Sequence, residues 1–341
     1  MRLSVPNPRQ HRARESQRVT ALRRSGEFTA KILLFVCATA VGLVVIELAL
    51  RLLYPISMMN VEVQRTGEAG ADLLLPDEIL GIRPALGTDL YDTNAILYGR
   101  SIVSNAQGAS KILFIGDSVT AYGRIVNALA DLAGSGTMSF LNGGVAGYNI
   151  QQEIELFFRY QSSLKPEVIV HQMHINDLQA SRLVLRDRSG TVKIYSPRLK
   201  PVDVNQTLYR YSQLYRFILA NFRSRASKEE LQTAASDALR RMRDYTRANG
   251  IAYHLILFPI LEPLASWTAY DKDTRDYLLR ITRELGLDTV DLSAVSDRMI
   301  AEGVDPRSAP GDSWHPNQPM ADAAAKYIVQ RIPSLFGPKS K

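Results

Sequence analysis

The chain has 341 residues, 46% hydrophobic and 22% charged, which excludes a wholly disordered protein and allows one large core with appendages. Its formal charge of +7 is local: residues 1–31 hold eight Arg or Lys against two Glu, so the other 310 sit near +1 and give no support to a nucleic-acid-binding face. The lone cysteine, Cys37, excludes an intramolecular disulfide.

The first predicted element is ILLFVCATAVGLVVIELALRLLY, 23 positions from Ile32 to Tyr54 broken only by Glu47 and Arg51. As a helix it would be about 34 Å long, enough to cross a hydrocarbon core of about 30 Å. The basic flank before it (Arg2, Arg9, Arg12, Arg14, Arg18, Arg23, Arg24 and Lys31) predicts, by the positive-inside rule, a cytoplasmic tail at 1–31. A single inner-membrane span at 32–54 and an extracytoplasmic, periplasmic remainder follow. Glu47 and Arg51 stand four apart and can pair on that helix. Three rivals fit less well. A signal peptide cleaved after Ala38-Thr39-Ala40 would have only about six apolar residues before the site. A lipidated Cys37 would follow Val36, where a small residue is normal, and a buried core helix leaves the basic flank unexplained.

Residues 55–110, with turn-rich pieces such as PDEILGIRPALG, read as a juxtamembrane linker packed against the main domain. From there apolar runs at 111–116, 138–142, 167–173, 251–258 and 287–292 alternate with helical stretches near 119–133, 150–164, 228–249, 271–286 and 320–332. Strands apolar throughout and alternating with helices predict an α/β domain at 111–336, its parallel sheet covered on both faces. The segment 180–227 interrupts this rhythm as an insertion. Its first part, 181–200, has six basic residues to one acid; its second places Tyr211, Leu214, Tyr215, Ile218 and Phe222 at helical spacing. One reading is a solvated hairpin followed by a helix that lays this stripe on the core. The other is a lid or groove wall for an anionic glycan or lipid headgroups.

The first strand ends in Gly116-Asp117-Ser118, which suits either a capped strand-to-helix turn or a nucleophile at the carboxyl end of a parallel strand. A serine nucleophile needs a base, a group to orient the base, and donors for the oxyanion. The chain offers each. Asp312 and His315 share one loop near the carboxyl end, Gly147 closes a glycine-rich stretch after the second strand, and Asn176 follows the third.

Taken together, these blocks resemble the SGNH hydrolases, also called GDSL esterases and lipases, over roughly residues 111–335. The resemblance implies a three-layer α/β/α, flavodoxin-like fold with about five parallel strands. It implies Ser118 as nucleophile, His315 as base and Asp312 as its orienter. The oxyanion donors would be the Ser118 and Gly147 backbone NH groups and the Asn176 side chain. One position departs from the family. Where its third block has glycine, this chain has His174, which, with Asp117, is a candidate substrate contact or a sign of altered catalysis.

The expected activity is that of an extracytoplasmic serine esterase acting through an acyl-serine on acyl, above all acetyl, esters of envelope or exported carbohydrate. The alternatives are a polysaccharide O-acetyltransferase with the same triad, and a non-catalytic glycan- or partner-binding protein. The expected partners are the membrane, through one helix, and an ester substrate; no nucleic acid, cofactor or metal is expected. His171 and His174, three apart on a strand, face opposite sides and make a poor metal pair. Gly143-Gly144 followed by Gly147 lacks the setting of a dinucleotide fingerprint.

Overall fold

The computed structural model describes residues 8–53, 61–62, 74–77, 80–84, 110–134, 138–179, 183–186, 192–195, 205–222 and 227–336. The chain divides into two compact units, one formed by Met1–Ser57 with Thr207–Arg223 and the other by Met58–Gln206 with Ser224–Lys341.

The first unit contains α1 (Pro8–Leu53), a helix that starts well before the apolar stretch and runs through the basic tail. Its Ala30–Leu53 portion has a mean hydropathy of 2.6 and is long and apolar enough to cross a membrane. The other described elements of this unit belong to the insertion and are taken up after the sheet.

In the second unit a short strand, β1 (Val61–Glu62), and a hairpin of β2 (Leu74–Asp77) and β3 (Gly81–Pro84) are what is described of the expected linker. Leu80, in the hairpin turn, is fully buried. The main sheet comprises β4 (Ser110–Gly116), β5 (Met138–Asn142), β6 (Val168–His174), β9 (Ala252–Phe258) and β10 (Thr289–Asp291). Between β6 and β9 lies the insertion, where β7 (Leu183–Arg186) and β8 (Val192–Tyr195) form the expected hairpin, with β1 added antiparallel to β8.

The spatial order β10-β9-β6-β4-β5, all parallel, is the flavodoxin order, and it reverses between β4 and β6. Strand alternation builds the layers. Leu113 and Ile115 of β4 enter one core with Met173 and Leu257, whereas Ile112 and Phe114 enter the other with Val170 and Phe258. The first core is covered by α4 (Ile150–Leu156), α7 (Lys228–Ala248) and α8 (Ala269–Glu284), through residues such as Ile154, Leu239 and Leu278. The second is covered by α3 (Arg124–Ala133), α9 (Ser293–Ala301) and α10 (Gln318–Arg331), through Leu129, Val295 and Ile328.

Three expected elements differ in detail. The single helix at 119–133 is broken into α2 (Ser118–Ala121) and α3 by Gly123, whose φ of +72° is left-handed. The helix expected over 150–164 is α-helical only to Leu156 and then widens into a π turn at Phe157–Gln161. There Gln161 is buried and donates to the Gly143 carbonyl at 3.1 Å, a reason for the extra residue in the turn. Third, the stripe-bearing helix of the insertion forms as two pieces, α5 (Gln206–Tyr211) and α6 (Gln213–Phe222), and within its unit α6 packs along α1.

Candidate active site

Ser118 opens α2 directly after β4, at the carboxyl edge of the sheet where the strand order reverses. The turn is tight because Gly116 has no side chain. A Cβ there would lie 2.5 Å from the Gln172 carbonyl oxygen and closer still to the Thr120 hydroxyl. Asp117 is buried and caps α2, accepting the Val119 N–H at 2.9 Å, so its carboxylate is turned into the protein. Ser118 itself stays partly exposed.

The loop between α9 and α10 brings the other groups to Ser118 across 197 residues of sequence. His315 Nε2 lies 3.0 Å from Ser118 Oγ, and His315 Nδ1 lies 3.0 Å from each carboxylate oxygen of Asp312. Asp312 also accepts the Ser308 hydroxyl at 2.7 Å and the Trp314 and His315 backbone N–H groups at 3.1 Å. Burial pushes the Asp312 carboxyl up, but the donors from Ser308, His315 and Trp314 outweigh it and hold the group at about 2. An ionised Asp312 keeps the imidazole proton on Nδ1, which leaves Nε2 free to accept from the Ser118 hydroxyl.

The loop is pinned from both sides. Leu261 N–H donates to the Ser313 carbonyl at 2.8 Å, Ser308 N–H to the His315 carbonyl at 2.9 Å, and the Arg124 guanidinium to the Pro316 carbonyl at 2.8 Å.

Gly147 and Asn176 follow β5 and β6, the two strands that flank β4, so the three expected oxyanion donors stand at one end of adjacent strands. Among the described residues, the Ser118 and Gly147 N–H groups and the Asn176 side-chain amide donate to no protein acceptor. Gly147 has a φ of +78°. Asn142 clamps this region, donating to the Thr120 carbonyl at 2.8 Å while accepting the Gly144 N–H at 3.0 Å.

His174, like Asp117, is buried, so both candidate substrate contacts stand behind the site. The His174 ring sits between Phe258 and the edge of Trp314, with centroids 5.8 and 5.2 Å away. Its Nδ1 accepts the Asn176 N–H at 3.1 Å, and its own N–H donates to Asp177. Burial lowers the pKa of this imidazole, which keeps it neutral and Nδ1 available as acceptor. His174 therefore builds the short turn that carries Asn176.

Sequence reasoning missed two sets of residues. Tyr122 and Trp314 are exposed aromatic rings at the triad, with Tyr122 4.7 Å from the His315 ring. On the face of the sheet under α4, the buried Glu153 and His171 and the partly buried Tyr253 form a chain: His171 Nε2 lies 2.8 Å from Glu153 and Nδ1 lies 2.7 Å from the Tyr253 hydroxyl. Burial pushes Glu153 up and His171 down to about 3. His171 and His174 do face opposite sides of β6. Among the described residues no group of three His, Cys, Asp or Glu is placed to hold a metal ion.

No protein-family model matches the chain, and no curated protein matches its sequence. Solved structures similar to it include Axe2, an acetylxylan esterase from Geobacillus stearothermophilus, at 16% identity over 68% of this chain and 99% of that one, TM-score 0.42. They also include LAE5, an alpha/beta hydrolase enzyme from the metagenome of Lake Arreo, Spain, at 18% identity over 66% and 96% of the two chains, TM-score 0.44. A third is the acetyl xylan esterase AlAXEase, at 14% identity over 65% and 99%, TM-score 0.43.

Proposed function

We propose that the protein is a serine esterase of the SGNH type, anchored by α1 and acting outside the cytoplasm on acyl esters of carbohydrate. The observation that carries this reading is the contiguous relay from Asp312 through His315 to Ser118 Oγ at the switch point of the sheet. His315 Nε2 takes the Ser118 proton as Oγ attacks the ester carbonyl. The oxyanion is held by the Ser118 and Gly147 N–H groups and the Asn176 amide. Collapse breaks the ester C–O bond, His315 returns the proton to the departing alcohol, and the acyl group remains on Ser118. Water, deprotonated by His315, then releases the acid and restores the serine.

A carbohydrate alcohol is supported by the exposed rings of Tyr122 and Trp314 at the triad, flat apolar faces on which the C–H faces of a sugar can pack. The catalytic reading is supported over a silent binding protein by His174, which supports the Asn176 turn from inside and leaves the triad intact.

The test follows the acetyl group. Full-length protein in detergent is given an activated acetyl ester, with and without an acceptor oligosaccharide, beside Ser118→Ala. Acetate release that depends on Ser118 and is indifferent to the sugar is expected. Acetyl on the sugar would make the protein a transferase, and no difference from Ser118→Ala would end the catalytic reading. A reporter enzyme fused after Lys341 is expected to be active only outside the cytoplasm; activity inside would overturn the orientation.

A further inference from the structure

Within the unit that contains α1, the elbow between α5 and α6 is bonded to the two charged residues of the apolar stretch. Glu47 accepts the Gln213 N–H at 2.8 Å on Oε1, and the Leu214 N–H at 2.8 Å and the Ser212 hydroxyl at 3.0 Å on Oε2. Arg51 donates to Glu47 at 2.7 Å and to the Tyr211 carbonyl at 2.6 Å. From Ile32 to Leu53 no other side chain is charged, so both charges of the apolar helix are used on this elbow.

The first N–H groups of any helix lack partners within it. In water they are hydrated and need no carboxylate. In hydrocarbon each must be matched by protein, and a carboxylate must in turn be matched by donors. Here the two needs satisfy each other. Glu47 lies six residues before the end of α1, about 9 Å along its axis. The elbow meets Arg51 first, through Tyr211, and Glu47 one turn deeper, through Gln213 and Leu214. The helix that follows reads QLYRFILANF, one charge in ten residues, and Ile218 on it is 44% exposed. On α1 the apolar side chains Val44, Val45 and Leu48 are likewise open, at 53–58%.

Resting on the reading of α1 as a membrane span, we propose that α6 is a re-entrant element that enters the outer leaflet beside α1, with lipid acyl chains covering its apolar side. Glu47 is its docking point. The chain thus returns to the bilayer between β8 and α7, and the anchor is a two-helix device and not a single tether.

The test uses full-length protein with Cys37→Ser, reconstituted in phosphatidylcholine vesicles with or without brominated acyl chains. Single cysteines replace Val44 or Ile218 and carry an environment-sensitive fluorophore. The expected result is a comparable loss of fluorescence to brominated lipid at both positions and protection of both from aqueous iodide. Iodide access at 218 with lipid quenching at 44 would overturn the proposal and leave the span intact, whereas iodide access at 44 would remove the span itself. Protection at 218 from both quenchers would also overturn it, since protein, such as a second copy, then covers α6. Adding Glu47→Ala is expected to expose 218 to iodide while 44 stays in lipid; a 218 label still quenched by lipid would remove Glu47 as the docking point.

Discussion

Two carboxyl–imidazole pairs of nearly equal length lie in the sheet unit, and their surroundings give them opposite characters. Asp312 and His315 are partly exposed on a loop, 3.0 Å apart, and the carboxylate collects donors from Ser308 and two backbone N–H groups. Glu153 and His171 are 2.8 Å apart and wholly buried, where burial favours the neutral form of each. Separation alone does not tell the proposed catalytic pair from the buried one. The number of donors reaching the carboxylate, and a serine on the far nitrogen, do.

That difference can be broken from either side. Asp312→Asn removes the charge that fixes the His315 tautomer and is expected to lower kcat on the order of 10³-fold with KM little changed. A loss under about tenfold would mean that Asp312 does not orient the base.

Asn176→Ala removes one of the proposed oxyanion donors and is expected to cost about 10²-fold in kcat. His174→Gly takes away the acceptor of the Asn176 N–H and leaves a void between Phe258 and Trp314. A fall of about tenfold in kcat is expected, since a misplaced donor loses part of what a deleted one loses. A faster His174→Gly enzyme would show that the histidine obstructs the site.

Glu153→Gln is expected to change the rate least, by no more than about threefold, because Glu153 meets no reacting atom. Its effect lies in stability against pH. His171 is depressed on folding, so its contribution is present above its ordinary 6.5 and lost as pH falls; Glu153 is raised, so its contribution is present below its ordinary 4.5 and lost as pH rises. Between those values the two slopes oppose each other. In Glu153→Gln only the histidine remains, so its acid loss from 6.5 downward is no longer opposed. Denaturant unfolding should show the variant losing more stability than the parent as pH falls from 6.5 to 4.5. Parallel curves would mean that Glu153 is ionised in the folded protein.

Much of the sheet was readable because its strands are apolar on both faces, and the five runs that alternate with helices could belong only to a covered parallel sheet. Helix interruptions were less readable, since Gly123 and the turn around Gln161 answer to tertiary contacts that no local pattern encodes. At the site, Ser118, Asp312 and His315 were legible as a spaced set of blocks. The burial of His174 and Asp117 was not, because alternation gives the face of a strand but not what lies over it. Nothing in the sequence around Glu153 singles it out; its burial and its pairing with a residue 18 positions later show it to be internal. The association of α6 with α1 spans more than 160 residues and left no signal beyond two isolated charges in an apolar run.

The most direct test of the account is the mass of the peptide that contains Ser118 after brief reaction of full-length protein with an activated acetyl ester, quenched in acid. One acetyl group on Ser118, absent when His315 is replaced by Ala, is the predicted result. Turnover of the ester with Ser118 unmodified, or acetylation of Ser118 that survives the loss of His315, would contradict it.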